Sequence, residues 1–316
     1  MRILILGAGA IGSVLGGLLA QGGHEVTLLG RAWHLDVIRR EGLRIDGLWG
    51  AYHVRTLSIA MAPQEVRGPT EFEWVFVCVK SYQTSEAAQL LGALLGPHAL
   101  VCAFQNGLGN YEALTQRVAP SRVALARVIF GAEIEPGRVH VSVCADDVLL
   151  GAPDPSFPSD RLNHLANALR ASGVPTRVTG HILVALWGKV LYNCALNGLS
   201  TVLEVPYGKL LEHSAAPRLM RSIIAEAYQI AAAHHIVLEP STAQAYLDAL
   251  FTRLIPDTAS HHPSMLQDLR RGKPTEIDAL NGALVRLAQQ VGVAAPTNAL
   301  ITRLVHAKEQ FLGVCS

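Results

Sequence analysis

Three polar residues in an otherwise apolar stretch carry the plainest chemistry in this chain. Residues 182–199 include Ile182, Leu183, Val184, Leu186, Trp187, Val190, Leu191, Leu196 and Leu199, and among them stand Lys189, Asn193 and Asn197. At about 3.6 residues per turn, the spacing i, i+4, i+8 lines these three up as one polar stripe on a helix. A surface helix exposes a broader, more charged face, so a narrow lysine–amide stripe predicts a polar crevice inside the protein. Lysine is scarce: of 26 basic residues, only Lys80, Lys189, Lys209, Lys273 and Lys308 are lysines. A partly buried ammonium can donate a proton to a substrate oxygen, and burial moves its pKa toward neutrality. The competing reading is a lysine that snorkels to water beside two solvent-facing asparagines.

A second constellation opens the chain. Gly7, Ala8, Gly9, Ala10, Ile11 and Gly12 spell G-x-G-x-x-G between an apolar run, Ile3–Leu6, and a stretch with helical spacing over residues 10–21. The string alone is weak, but a strand before it and a helix after it are the context it requires. The glycines permit a tight turn, close approach of a pyrophosphate to the helix N-terminus, and close packing of helix on strand. A second strand at Glu25–Leu29 ends in Gly30 and Arg31, with no acid before Asp36. An acid there would repel a 2′-phosphate, whereas a guanidinium binds it. The expected cofactor is NADP(H); the alternative is a solvated surface arginine.

These residues need elements to position them. Trp74–Val79 and Leu100–Ala103 read as further strands around a helical segment at 84–95, which predicts a parallel sheet covered on both faces. Residues 123–130, 138–144 and 147–151 read as strands joined by turns, an antiparallel extension of that sheet. A helix at 159–171 and a strand at 175–179 follow. Beyond 180 only helices are expected: 182–199, 216–236, 240–253, 258–271, 275–291 and 297–312. The predicted domains are 1–179, α/β, and 180–316, all-helical.

Composition narrows the function. The chain has 316 residues, which suggests about two domains. It is 50% hydrophobic, 16% charged and 6% aromatic, with a net charge of +1. No basic field or stacking surface offers itself to nucleic acid or an anionic membrane. The cysteines Cys78, Cys102, Cys144, Cys194 and Cys315 are odd in number and lack C-x-x-C spacing, so free thiols are expected rather than a disulfide framework or a zinc site. His234-His235 and His261-His262 lack ligand spacing, and no metal is expected. The N-terminal apolar run breaks into glycines too early for a signal peptide. A cytoplasmic protein is expected. The apolar C-terminal helices are open to two readings, a homodimer face or their own domain's core.

Together these motifs resemble the ketopantoate reductase family. The resemblance covers essentially the whole chain: the glycine motif, Val79-Lys80-Ser81-Tyr82-Gln83, Gln105-Asn106-Gly107-Leu108-Gly109, Trp187-Gly188-Lys189 with Asn193 and Asn197, Ser264-Met265-Leu266-Gln267-Asp268, and Thr275-Glu276-Ile277-Asp278 followed by Asn281-Gly282. It implies a Rossmann-type dinucleotide-binding domain followed by a helical domain, with the active site in the cleft. The implied reaction is NADPH-dependent reduction of a 2-oxo acid, 2-dehydropantoate first, in pantothenate biosynthesis. The resemblance assigns Lys189 as proton donor and Glu276 as its supporting acid and a cofactor contact. Asn193, Asn197 and Ser264 become substrate-binding residues, and Asn106 a cofactor and substrate contact. Arg31 and Lys80 fall near the adenosine phosphate, and Ala132 contributes a backbone contact to the cofactor.

Several of these residues also have plain structural readings. Thr275-Glu276-Ile277-Asp278 would serve as a helix start with Thr275 as N-cap. Ser264 would serve as an N-cap after Pro263, and Asn106-Gly107 as a turn. One departure stands out. Where the family usually has a substrate-contacting asparagine before a glycine, this chain has Tyr207-Gly208. A tyrosine there is expected to narrow the pocket, leaving the substrate to Asn193, Asn197 and Ser264, unless the ring swings out to solvent. The alternatives to a ketopantoate reductase are a reductase of another branched 2-oxo acid, a related hydroxyacid dehydrogenase, and a non-catalytic NADP-binding sensor.

Overall fold

Strands that bury every residue need cover on both faces, and the first unit of the chain supplies it. In the computed structural model, which describes residues 1–314, the chain divides into two units. One comprises Met1–Asn106 and Asn110–Ile182, the other Gly107–Gly109 and the chain from Leu183 onward. The first unit contains β1 (Arg2–Leu6), α1 (Ala10–Gln21), β2 (Glu25–Leu29), α2 (Ala32–Glu41), β3 (Leu43–Gly47), β4 (Tyr52–Val54), β5 (Ser58–Ala60), β6 (Trp74–Val77), α3 (Thr84–Leu94) and β7 (Leu100–Ala103). It continues through α4 (Asn110–Thr115), β8 (Val123–Arg127), β9 (Phe130–Glu135), β10 (Arg138–Cys144), β11 (Val148–Gly151), α5 (Ser159–Ala171) and β12 (Thr176–Val178).

The main sheet runs β12-β11-β8-β7-β6-β1-β2-β5. β1 pairs in parallel with β2 and β6, Ile3 facing Val26 on one side and Trp74 on the other. β8 and β11 form its one antiparallel pairing, Leu150 opposite Ala126, and β12, parallel to β11, runs the same way as β11.

The expected antiparallel extension is corrected in part. β11 does extend the main sheet, but the run expected at 123–130 breaks into β8 and β9. The β9–β10 hairpin joins β3 and β4 in a separate sheet ordered β4-β3-β10-β9. The reason is alternation. Leu43 and Ile45 are buried while Arg44 is exposed, and Val139 and Val141 are buried while His140 is exposed. A sheet with one apolar face needs one apolar cover.

That cover is α1, which lies between the two sheets. Adjacent glycines let it approach both. A Cβ on Gly16 would stand 2.7 Å from Leu28 Cδ2 of the main sheet, and a Cβ on Gly17 would stand 2.5 Å from Ile45 Cδ1 of the second.

The second unit is helical: α6 (Ile182–Leu203, its first residue belonging to the first unit), α7 (Ala215–Ala233), α8 (Ala243–Ala249), α9 (Ile255–Asp257), α10 (Ser264–Arg270), α11 (Asn281–Val291) and α12 (Pro296–Phe311). α6 is long and apolar enough to cross a membrane, but 67% of its most apolar window is buried, as in a core helix. Leu191, Cys194, Ala195 and Leu196 of α6 pack with Met220, Ile223, Ile230, Leu284, Ile301 and Val305.

Buried polar groups tie this core together. Glu226 of α7 accepts hydrogen bonds from the backbone N–H of Thr297 at 2.8 Å and of Asn298 at 2.9 Å, capping α12 where its dipole favours an anion. Asn298 Oδ1 accepts from Asn281 Nδ2, which also donates to the Cys194 carbonyl. At the far end of α6, Lys308 donates to the carbonyls of Thr201 at 2.9 Å and Val202 at 3.4 Å and pairs with Glu204, a residue held at φ 58°.

Several helix boundaries differ from the expected ones. α8 continues as a π turn over Leu250–Leu254, and α10 starts only after Pro263. The helix expected from 275 begins at Asn281, preceded by a single 3-10 turn at Ile277–Ala279. Cys102 and Cys194 are buried, Cys78 and Cys144 half-buried, and all four are free thiols. Cys315 lies outside the described residues.

Candidate active site

The glycine loop sits where the order of the main sheet reverses. From β1 the chain moves outward through β2 to β5, whereas β6, β7 and β8 lie on the other side. Ligands of open α/β sheets bind at such a point, beyond the carboxyl ends of the strands. Four predicted site elements converge there: the loop after β1, Arg31 after β2, Lys80 after β6 and Asn106 after β7.

The loop geometry accounts for its residue types. The N–H groups of Gly7 and Ala8 donate to the Leu29 carbonyl at 3.0 and 3.1 Å, and Gly9 N–H donates to the Gly7 carbonyl at 2.8 Å. Gly7 has φ +105°, and a Cβ there would meet Val79 N at 2.6 Å. A Cβ on Gly12 would meet the Gly7 carbonyl oxygen at 2.3 Å. Around Gly9, by contrast, the space is open: beyond its chain neighbours, no heavy atom of the described residues lies within 4 Å of where a Cβ would be. That is the space a pyrophosphate needs above the first turn of α1, so the loop fits a dinucleotide. Ala10 and Ile11 form that first turn.

Arg31 is exposed at the N-cap position of α2, and Lys80 is half-buried at the start of a 3-10 turn. The Asn106 backbone is held by a chain of side chains. Gln105 Nε2 donates to the Val79 carbonyl at 3.0 Å and to Thr84 Oγ1 at 2.7 Å. Thr84 donates to Asn110 Oδ1 at 2.8 Å, and Asn110 Nδ2 donates to the Asn106 carbonyl at 2.9 Å. Ala132 lies on β9, the edge strand of the second sheet, opposite Val141.

In the second unit, α6 carries Lys189, Asn193 and Asn197 at successive turns. Lys189 is half-buried, and Asn193 and Asn197 are 9% and 4% exposed. The Asn193 side chain has no hydrogen-bond partner among the described residues. Asn197 has one: its Oδ1 accepts from the Tyr207 hydroxyl at 3.4 Å.

Tyr207 does not swing out to solvent. It is 2% exposed, edge-on to Tyr192 with ring centroids 5.8 Å apart, and 5.3 Å from the His261 ring. Its N–H donates to the His261 carbonyl at 3.1 Å, and Gly208 N–H donates to the Ala259 carbonyl at 2.9 Å. The loop thereby ties Asn197 to the segment that leads into Ser264. Burial, and then the neighbouring Tyr192, push the Tyr207 phenol well above its ordinary pKa. Burial, and then His262, lower that of His261.

Two expected caps are absent. Ser264 is not an N-cap: Pro263 occupies that position, and Ser264 is the exposed first residue of α10. Thr275 does not cap a long helix either; its hydroxyl accepts from Ile277 N–H at 3.3 Å within a local turn. Glu276, 7% exposed, stands at the head of that turn. The carboxylate of Glu309 holds the turn by accepting from Thr275 N–H at 2.7 Å. Sequence reading missed Glu309, an acid on the last turns of an amphipathic helix with nothing local to distinguish it. Glu226 left a trace, a charge inside the apolar run Ile223-Ile224-Ala225-Glu226-Ala227. Among the described residues, no group of three or more His, Cys, Asp or Glu could hold a metal ion.

A glycine loop at a sheet switch point, joined in one chain to a helical unit with a lysine–asparagine stripe, defines a dinucleotide-binding oxidoreductase. Comparison with known proteins narrows the class. Residues 3–155 match the family model "Ketopantoate reductase PanE/ApbA", and residues 181–309 match its C-terminal counterpart. The chain is 37% identical to the 2-dehydropantoate 2-reductase of Aquifex aeolicus over 98% of both chains. A PanE/ApbA family ketopantoate reductase from Ralstonia eutropha JMP134 superposes with a TM-score of 0.88 at 32% identity, covering 99% of this chain and 100% of the other. D-mandelate dehydrogenase, solved with NADH and anilino(oxo)acetate, superposes with a TM-score of 0.90 at 30% identity over 100% of both chains. This protein belongs to the ketopantoate reductase family, oxidoreductases that act on a CH–OH group.

Proposed function

We propose that the protein reduces 2-dehydropantoate, or a closely related branched 2-oxo acid, with NADPH as the hydride donor. The observation that carries this reading is the α6 stripe: a half-buried lysine followed at one-turn intervals by two buried amides, one without any side-chain partner among the described residues. A buried amide left unpaired is costly unless a ligand pairs it, and an amide can bind a carboxylate or a keto oxygen.

Bound NADPH would supply the hydride that adds to the keto carbon. The rest is work for this chain's side chains. Negative charge develops on the keto oxygen as the carbon is reduced. The Lys189 ammonium stabilises that charge and gives up a proton to it, producing the hydroxyl. Glu276 supports the lysine and contacts substrate and cofactor. Asn193, Asn197 and Ser264 fix the substrate's carboxylate and its remaining oxygens, a positioning effect that contributes much of a two-substrate rate enhancement. The cofactor is held by the Gly7–Gly12 loop, by Asn106 and by the Ala132 backbone, with Arg31 and Lys80 on the adenosine phosphate. The absence of an acid between Leu29 and Asp36 favours the 2′-phosphorylated form. The relatives' activity suggests a place in pantothenate biosynthesis, in the cytoplasm.

A second reading has two observations in its favour. A buried tyrosine stands where the family usually offers an asparagine, and D-mandelate dehydrogenase is among the similar structures. The protein would then act on an aryl or otherwise apolar 2-oxo acid, with NADH in place of NADPH.

One experiment tests both: oxidation of NADPH and of NADH, followed by absorbance, against ketopantoate, other branched 2-oxo acids and benzoylformate. Ketopantoate turnover with NADPH supports the first reading and preference for benzoylformate the second. No turnover of any 2-oxo acid despite tight cofactor binding would leave a cofactor-binding sensor.

A further inference from the structure

We propose that Tyr207 is a specificity-determining positioning residue: by donating its hydroxyl to Asn197 Oδ1, it competes with the substrate for that acceptor and biases Asn197 toward donating. The inference rests on the reading of Asn197 as a substrate contact and goes beyond it by naming the class of oxygen the site rewards.

A free asparagine amide offers one carbonyl acceptor and two N–H donors, so it can both give to and take from a substrate hydroxyl. In this protein one lone pair of the carbonyl is engaged. The Tyr207 hydroxyl lies 3.4 Å from Asn197 Oδ1, while Asn197 Nδ2 has no partner among the described residues. The bond is long, and its importance lies in how firmly its donor is held. The Tyr207 ring is packed edge-on to Tyr192, and the Tyr192 hydroxyl is itself bonded to Thr258 Oγ1 at 2.7 Å. On its other side the ring meets His261, and the backbone on both sides of the Tyr207–Gly208 peptide is bonded to the 259–261 segment. A Cβ on Gly208 would approach Ala259 Cβ to 2.8 Å, so the loop is in close contact with that segment. The phenol is buried and remains protonated, so it stays a donor.

The consequence concerns which substrate oxygen Asn197 can serve. A carboxylate or keto oxygen only accepts, and Nδ2 suits it. A hydroxyl that must donate meets an Oδ1 already engaged by a buried partner, with only its second lone pair left. Sites built to pair a substrate hydroxyl reject an analogue lacking it by large factors. Here that reward is diminished, and acids with and without the hydroxyl become nearly equivalent.

The test compares ketopantoate with trimethylpyruvate, the same skeleton with hydrogen in place of the hydroxyl, using the full-length protein with reduced nicotinamide cofactor. The readout is the ratio of their kcat/KM values in wild type, Y207F, N197A and the double variant. Y207F keeps the ring and removes only the donor, and its thermal midpoint and far-UV spectrum confirm folding. The wild-type ratio is expected within about tenfold of unity. Y207F is expected to raise it about two- to tenfold, the factor one neutral hydrogen bond supplies, because Oδ1 is freed to accept. In the N197A background the same change should leave the ratio unmoved, since coupled residues lose their interaction together. An unchanged or lower ratio in Y207F, or an equal rise with and without Asn197, would overturn the proposal; a fall would mean that Tyr207 binds the substrate hydroxyl itself. Failure of wild type to turn over either acid with NADPH or NADH would instead remove the parent reading, and this inference with it.

Discussion

Glu309 and Thr275 meet across 34 residues of chain: a carboxylate on the last turns of α12 accepts the Thr275 backbone N–H at 2.7 Å. Both residues are buried, and the next residue along is Glu276. The turn that presents the candidate acid is therefore held from α12 as well as by the Thr275 hydroxyl. In E309A, Thr275 N–H loses its partner, at a cost of about 1–3 kcal/mol. A lower denaturant midpoint is expected in E309A, with a drop in kcat where Glu276 is displaced. E309Q retains an acceptor and should recover most of both losses. Equal losses in the two variants would mean that the charge matters and the hydrogen bond does not.

Lys189 carries the proposed chemistry. K189A is expected to lower kcat about 100- to 1,000-fold, the usual cost of removing one donor aimed at a developing oxyanion. NADPH affinity, measured by fluorescence titration, should change little. A variant that keeps most of its turnover would show that another group delivers the proton.

Arg31 is the residue proposed to set cofactor choice. R31A should weaken NADPH binding about tenfold or more, because a charge-assisted hydrogen bond contributes about 1.5–3 kcal/mol. NADH lacks the 2′-phosphate and should bind nearly as before. Isothermal titration with both cofactors separates this from a general effect of the substitution, which would weaken the two alike.

Gly12 has no room for a side chain. In G12A the new methyl group would stand 2.3 Å from the Gly7 carbonyl oxygen, and backbone cannot yield as a side-chain tip does. The expected result is loss of binding for both cofactors together with a lower thermal midpoint. Unimpaired NADPH binding in a folded G12A protein would contradict the assignment of this loop.

His34 gives the fold a dependence on pH. Its Nε2 lies 3.1 Å from Ser13 Oγ on α1, and its Nδ1 lies 3.1 Å from Gly137 N and 3.0 Å from the Glu135 carbonyl. The neutral ring accepts from Gly137 N–H, whereas the protonated ring donates to Glu135. Burial outweighs that second bond and lowers the pKa below 6.5. The unfolded chain then binds the proton more readily than the native one. The stabilisation is present above pH 6.5 and is lost as the pH falls through the lowered value. Thermal midpoints of wild type should fall across that acidic window, and H34Q should show a shallower fall. Parallel curves would exclude His34 as the source.

How far a residue's role can be read from the chain depends on how local its physics is. The glycine loop was legible because a tight turn, a strand before it and a helix after it all lie within about a dozen residues of sequence. The α6 stripe was legible because helical periodicity places Lys189, Asn193 and Asn197 on one face whatever surrounds them. Runs buried on both faces, such as Trp74–Val77, likewise announced a parallel sheet.

Tertiary structure decided what depends on partners distant in the chain. The alternation of Leu43, Arg44, Ile45 and Asp46 was there to be read, but only the packed fold pairs β3 with β10, 90 or so residues later, and gives both the cover of α1. The helix start expected at Thr275 became a single turn whose Thr275 N–H is paired with a buried carboxylate from α12, a partner 34 residues away in the chain. Tyr207 is the clearest case. Its residue type marked it as a departure, yet whether its hydroxyl faced solvent or Asn197 was settled by the packing of Tyr192 and His261 around its ring. Local sequence determines turns, periodicity and residue chemistry; the partner of a buried polar group is chosen only when the whole core closes around it.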